Sequence, residues 1–333
     1  MKTQTPREII LANIEHSGAP RNGFTFDGGR LNDFIGAGIP PTGYTQKRWV
    51  EGVQEFYDDE WGNLWVRMTG GCVKGEVHKA VLESWDDLPS LKLPQYDVER
   101  GAEGLRAGFA ADTGSHFKVA HIGGWIFDNA RYLRKMEVYL LDLALYPDQV
   151  REMHEKVGSV YEQKIHAAGR AGADAIMIGE DMGTQQGLLF SPAMFRDYFK
   201  ALYKRLMGLA HEYGMKVLLH SCGQNWAIVD DLIECGVNVF QFDQPAVYNM
   251  PALAAKLRER KVALWSPLDI QRYLPTGNRE VIEHETERMV GLFNGGLILK
   301  NYPDLPGIGV KREWDMWFYN RACELQAPGT LPR

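Results

Sequence analysis

Residues 212–245, EYGMKVLLHSCGQNWAIVDDLIECGVNVFQFDQP, hold one full unit of a repeating plan. Gly214 ends a helical stretch, as glycine commonly does because it takes the left-handed conformation without a Cβ penalty. Val217-Leu218-Leu219-His220 then reads as a short buried strand, residues 226–234 as a helix, and residues 237–242 as the next strand.

The same rhythm extends outward in both directions. Strands are expected at 117–121 and 175–178 before this unit, and at 262–265 and 297–299 after it. Helices are expected at 147–171, where Pro147 suits a first turn, and from Ser191-Pro192 onward, where Phe195, Tyr198, Phe199, Leu202 and Leu206 fall at helical spacing. Two more are expected at 251–260 and 279–293, and a closing one at 310–325 with Trp314, Trp317 and Phe318. Strand and helix alternating in this way imply parallel strands with crossover helices. More than five such units, with no dinucleotide glycine fingerprint at a first turn, predict a closed (β/α)8 barrel rather than an open sheet.

No linker or low-complexity tract interrupts the chain, so residues 1–333 are expected to form a single domain. Residues 1–110 read as an N-terminal elaboration over one mouth of the barrel, and 111–333 as the main βα repeat. Within the elaboration, 60–68 reads as a hairpin strand pair and 78–93 as a turn-rich excursion.

Of the 333 residues, 45% are hydrophobic and 24% charged, enough for a sizeable core. A net charge of -6 with no dominant basic stripe argues against a nucleic-acid partner, and Arg131, Arg134 and Lys135 read as a solvated helix face. No apolar run suits a membrane span or a secretory signal. The four cysteines, Cys72, Cys222, Cys235 and Cys323, are scattered as free thiols would be, which implies a cytoplasmic protein.

In a barrel, side chains just beyond the C-terminal strand ends line the active site. Those positions hold His121, Glu180, Asp181, His220, Cys222, Gln241, Asp243, Ser266, Asp269, Lys300, Asn301 and Asp304. His220-x-Cys222 offers a nitrogen and a sulfur to one ion, a pair suited to zinc, but needs at least one further ligand. Glu180 and Asp181, adjacent at a strand end, suit acid/base work, metal ligation or anchoring of a substrate; capping of the following loop is the alternative. Asp243 is similar, and Glu180, Asp181 and Asp243 are the candidate catalytic carboxylates. His121, Gln241, Asn301 and Asp27 are the candidate substrate-binding residues. Trp61, Trp65, Trp125 and Trp265 would floor a pocket or simply fill core. Gly123-Gly124 and Gly295-Gly296 read as tight turns.

Several stretches resemble the uroporphyrinogen decarboxylase superfamily, and within it the corrinoid- and zinc-dependent methyltransferases. The most specific are residues 180–192, EDMGTQQGLLFSP, and His220-Ser221-Cys222-Gly223. Residues 6–12 with His16 and Pro20-Arg21, Asp58 with Glu60-Trp61-Gly62, and 82–88 extend the likeness over most of the chain. The resemblance implies the barrel independently. It also implies zinc held by His220, Cys222 and a later cysteine, but the stretch following 297–299 is Lys300-Asn301-Tyr302-Pro303-Asp304. Cys235 and Cys323 fall in expected helices, so Glu180, Asp181 or Asp243 would supply an oxygen ligand instead.

On this resemblance the chain is expected to be a methyltransferase acting on a small molecule such as a methoxylated aromatic, a methylamine or a thiol. No cobalamin-binding domain is visible, so a corrinoid would arrive on a separate protein or as a free cofactor, and relatives suggest a homodimer. The alternative is a uroporphyrinogen decarboxylase-type carboxy-lyase, with Asp27 or Asp181 on pyrrole N–H groups and Arg21 and Arg30 on carboxylates. The arginine-rich motif of true decarboxylases is reduced here to those two residues. A second alternative is a non-catalytic barrel that binds a corrinoid or tetrapyrrole.

Overall fold

Short apolar runs such as Ala175–Gly179 and Ala263–Ser266 are too brief for helices and too apolar for an exposed edge, and burial on both faces is what such runs require. In the computed structural model, which describes residues 4–70 and 75–331, they become strands of an eight-stranded parallel barrel sheet. The strands are β1 (Gly23–Thr25), β2 (Phe34–Gly38), β3 (Arg48–Glu51), β4 (Gln54–Asp58), β5 (Leu64–Met68), β6 (Glu76–Lys79), β7 (Phe117–His121), β8 (Ala175–Gly179), β9 (Lys216–His220), β10 (Val239–Gln241), β11 (Ala263–Ser266) and β12 (Leu297–Lys300). The helices are α1 (Pro6–Ile14), α2 (Val98–Phe109), α3 (Ile126–Arg134), α4 (Met136–Leu145), α5 (Pro147–Arg170), α6 (Pro192–Tyr198), α7 (Lys200–Glu212), α8 (Val229–Cys235), α9 (Met250–Arg260), α10 (Arg279–Leu292) and α11 (Arg312–Glu324). Around the barrel the strand order is β1-β12-β11-β10-β9-β8-β7-β2, all neighbours parallel. The (β/α)8 expectation holds.

The expected boundary at residue 110 does not. Two of the eight barrel strands, β1 and β2, lie in the first 40 residues, and only β3 to β6 form a separate antiparallel sheet. These first strands escape a pattern search because GFT and FIGAG are short and glycine-rich, with little apolar periodicity. The 60–68 hairpin is realised more broadly, as β4 paired with β5 across a turn held by the Asp59 carboxylate.

Two packing layers hold the fold. Inside the barrel lie Phe117, Val119, Ala175, Leu218, Val239, Ala263 and Ile298, closed at the bottom by Ile10 and Ile14 of α1. Burying each of these isoleucines contributes about 1.5–3 kcal/mol. A larger cluster fills the space between sheet and helices, including Phe127, Tyr139, Phe195, Phe199 and Tyr203. Among the described residues, no helix is long and apolar enough to cross a membrane.

β1 and β2 end the strand order and share no parallel ladder. Their junction is instead bridged by Asp33, which accepts two hydrogen bonds from the Arg21 guanidinium at 2.6 and 2.7 Å and one from the Phe24 N–H at 2.8 Å. The Asp33 N–H in turn donates to the Phe24 carbonyl at 2.6 Å. Both side chains of the ion pair are almost wholly buried, at 2% and 0% exposure. Removing one partner leaves an uncompensated buried charge, so Asp33→Ala is expected to lose about 3–5 kcal/mol of stability in urea unfolding. A loss below about 1 kcal/mol, the range of an exposed pair, would contradict this role.

Lys164 of α5 is also buried, its Nζ donating to the Ile122 carbonyl at 2.9 Å and lying over the rings of Tyr96 and Tyr161. Burial pushes its pKa down to about 8, against the opposing charge of Glu60. The unfolded chain keeps that proton up to ~10.4, so between these values the unfolded state binds more protons and stability rises with pH. The rise is expected to be about 3 kcal/mol between pH 8 and 10.4 and to be absent in Lys164→Met, measured as unfolding free energy against pH. Parallel curves for the two proteins would contradict it.

Candidate metal centre

Register decides which side chains meet at the C-terminal mouth. Gly179 of β8 pairs with His220 of β9, and His220 pairs with Gln241 of β10. Leu218 and Val239, two positions earlier, face the barrel interior, so strand alternation turns His220 and Gln241 inward as well. The same period continues into the loops, where Asp181, Cys222 and Asp243 stand two positions beyond these residues. Gly179, lacking a side chain, leaves room beside the imidazole of His220.

The His220–Gly223 turn is held against the loop after β8. Gly223 has φ +77°, and a Cβ there would overlap the Gly183 carbonyl, so the crossing of the two loops requires glycine on conformational and steric grounds. The Gln224 N–H donates to the Thr184 carbonyl at 2.8 Å, and the Tyr248 hydroxyl donates to the Gly223 carbonyl at 2.9 Å. Asn225 ties Ser221 from below at 2.9 Å.

Asp181, His220 and Cys222 converge, their ligand atoms all within 4.8 Å of one another. His220 Nε2 lies 3.4 Å from Asp181 Oδ1 and 3.5 Å from Cys222 Sγ. A tetrahedral zinc with bonds of ~2.3 Å to sulfur and ~2.0–2.1 Å to nitrogen and oxygen separates its ligands by about 3.3–3.6 Å. Both distances from His220 Nε2 match that spacing, and the three ligand atoms lie close enough together to hold one such ion. Of the three carboxylates proposed as third ligand, the fold brings Asp181 to the His220/Cys222 pair.

Electrostatics follow from this clustering. Burial alone lowers the His220 pKa, but hydrogen bonding to Asp181 and Cys222 and the charge of Asp243 push it well above the usual histidine value. Burial raises Asp181, yet His220, the Cys222 N–H and Arg131 outweigh it and hold the carboxyl well below the usual range. Burial pushes the Cys222 thiol up, opposed by the hydrogen bond with His220. A cation entering this site would displace the proton on Nε2 and lower the thiol.

Behind His220 lies a buried chain of contacts. Its Nδ1 is 2.6 Å from Gln241 Oε1; Gln241 Nε2 donates to Asp243 Oδ1 at 2.7 Å; and Lys300 Nζ donates to the same oxygen at 3.0 Å. Gln241 and Asp243 are thus bound to each other, to His220 and to Lys300. Lys300 also lies over Trp265, whose Nε1 donates to Thr25 Oγ1 at 2.7 Å.

Glu180 departs from its expected catalytic role. It is fully buried, and its carboxylate accepts from the N–H groups of Phe127 and Asp128, at 2.9 and 2.8 Å, and from the Tyr203 hydroxyl. It caps α3. Burial and the neighbouring Asp128 push its carboxyl well above the usual range, against these three donors. Asp27 and Asn301 bind each other across β1 and β12, at 2.9 and 3.0 Å, and Asp27 also pairs with Arg30. The His121 ring stands over Gly36, and among the described residues it has no side-chain hydrogen bond. Trp125 is core, and Trp265 packs on Phe34 inside the barrel.

The Arg131, Arg134 and Lys135 group is not a solvated face. Arg134 is buried against Asp142 and the Leu82 carbonyl. Arg131 bridges Asp128 at 2.7 Å and Asp181 at 3.8 Å, over the ring of Tyr132. With Asp181, Trp65, Tyr132, Lys135 and Met136 it lines a cavity of about 520 Å³ between β5, β6 and the barrel. Asp128 and Tyr132 escaped the sequence reading, and Arg131 was read as a surface cation, because they sit on α3 rather than at a strand end. Cys235 and Cys323 lie in α8 and α11 as expected, and Cys72 falls outside the described residues.

The uroporphyrinogen decarboxylase (URO-D) family model matches residues 112–300, more than half of the chain, and the chain belongs to this family. Comparison with curated proteins gives no match. Among solved structures the chain is similar to a methyltransferase from Methanosarcina mazei, with TM-score 0.64 and 15% identity over 97% of this chain and 86% of that one. It is also similar to a candidate vitamin-B12-independent methionine synthase from Listeria monocytogenes, with TM-score 0.44 and 15% identity over 68% and 69% of the two chains. The likeness to the Methanosarcina protein is one of fold, the barrel with its N-terminal additions.

Glu180→Ala would strand three buried donors, at about 1–3 kcal/mol each. It is expected to lower stability by about 3 kcal/mol or more in chemical unfolding. A variant as stable as the parent but unable to turn over substrate would return Glu180 to the reacting groups.

Proposed function

We propose that this member of the uroporphyrinogen decarboxylase family is a zinc-dependent methyltransferase that exchanges a methyl group between a small molecule and a corrinoid carried by a separate protein. The observation that supports it most is the convergence of Asp181, His220 and Cys222 at the barrel mouth. One oxygen, one nitrogen and one sulfur make three protein ligands, the number a catalytic rather than a structural zinc takes from its protein. Zinc so held supplies Lewis acidity toward the heteroatom that gives up or accepts the methyl group. The likeness in fold to the Methanosarcina mazei methyltransferase agrees with the reading.

The chain's own residues supply the rest. Arg131, 3.8 Å from Asp181 Oδ2, balances the carboxylate and leaves Oδ1 toward the metal. Trp65 and Tyr132, edge to face at 4.7 Å, wall the cavity beside Asp181 and give substrate an apolar surface within it. His121, with its ring uncommitted at the mouth, is placed to meet a substrate polar group.

The decarboxylase alternative needs free cations for a polycarboxylate. Arg21 is sealed against Asp33, and Arg30 is held between Asp27 and Asp315 with its side chain 7% exposed, so both arginines are already committed.

The test is metal content of the purified protein by mass spectrometry, beside Cys222→Ser and Asp181→Ala. About one zinc per chain is expected in the parent and a large loss in both variants. A parent that takes no zinc on reconstitution, or a Cys222→Ser protein that keeps its zinc and its turnover, would overturn the proposal. Zinc held stoichiometrically without methyl transfer to or from a corrinoid would favour a binding protein.

A further inference from the structure

The hydrogen bonds behind His220 admit one consistent arrangement. Asp243 Oδ1 receives Lys300 Nζ at 3.0 Å and Gln241 at 2.7 Å, and a carboxylate only accepts. Gln241 must therefore present its NH₂ to Asp243 and its carbonyl oxygen to His220, 2.6 Å away. A carbonyl oxygen cannot donate, so His220 Nδ1 must carry the proton. Nε2 is then the nitrogen left to face Asp181 and Cys222, at 3.4 and 3.5 Å. The reversed amide would set its oxygen against the Asp243 carboxylate and its NH₂ against Nδ1, moving the ring proton to the metal side. Gln241 is 3% and Asp243 6% exposed, so water is poorly placed to relax that choice.

We infer that Gln241, anchored by the Asp243–Lys300 ion pair, is a positioning residue that locks His220 in the tautomer able to bind metal through Nε2. The inference rests on the proposed zinc site. It gives Lys300 a function too: opening the stretch where the family resemblance implied a second thiolate as third ligand, it acts on the site through two intervening side chains. The four side chains come from β9, β10 and β12 and the turn after β10, so the lock is built into the barrel wall.

The experiment is zinc affinity of the metal-free chain by competition with a chromophoric chelator, together with thermal unfolding. Gln241→Met, of similar volume but with no acceptor for Nδ1, is expected to bind zinc about 10–100-fold more weakly, the loss usual when a ligand's supporting hydrogen bond is removed. Gln241→Glu combined with Asp243→Asn, which keeps an acceptor toward Nδ1 and gives the second carboxylate oxygen an amide donor in place of a like charge, is expected to restore most of the affinity. Metal-free Gln241→Met unfolding within a few degrees of the parent, with weakened zinc, supports the lock. Equal zinc affinity in parent and Gln241→Met overturns it while leaving the zinc site standing. Equal losses in Gln241→Met and in the Gln241→Glu/Asp243→Asn pair, each matched by a fall in unfolding temperature, overturn it in favour of packing alone. A parent that binds no zinc overturns the site and the lock together.

Discussion

Parallel pairing of β8, β9 and β10 with Gly179, His220 and Gln241 level with one another is the constraint on which the site depends. Because a strand alternates faces at every residue, a slip of one position would turn His220 out of the mouth and bring Leu219 into it. The alignment also carries Asp181, Cys222 and Asp243 to equivalent places just beyond the strands. One carboxylate and one thiol then reach the His220 ring from the front, while the other carboxylate reaches it from behind through Gln241. The barrel core lies below these strands, closed by α1, and the buried Arg21–Asp33 pair bridges β1 and β2 on the far side of the barrel.

Much of this was legible in the chain, and the residues show why. The six strands from β7 to β12 are apolar runs bounded by glycine or polar turns, so periodicity locates them within one or two residues. His220 and Cys222 announce themselves by type and position, and an oxygen ligand was expected from three carboxylates. What selects Asp181 is the alternation rule: Glu180, one residue earlier, faces away from the mouth and accepts the amide ends of α3. Two adjacent acids therefore differ completely in role, and composition alone cannot separate them.

The remainder depended on contacts between distant segments. β1 and β2 are too short and too rich in glycine to signal strands, and they are recognised only when paired with β12 and β7. Arg131 looks like one more surface cation until Asp128 and Asp181 close around it. Lys300, at the head of the stretch where a later cysteine was expected, has no evident role until its contact with Asp243 is seen 57 residues away in sequence. Partners this far apart leave no local pattern to read.

X-ray absorption at the zinc edge of the loaded protein tests the central claim most directly, because it counts sulfur and light-atom ligands separately. One sulfur at ~2.3 Å with two or three nitrogen or oxygen ligands at ~2.0–2.2 Å is the result this account predicts. Two or more sulfurs, or a shell of light atoms with none, would contradict the assignment of Asp181, His220 and Cys222 as the metal ligands.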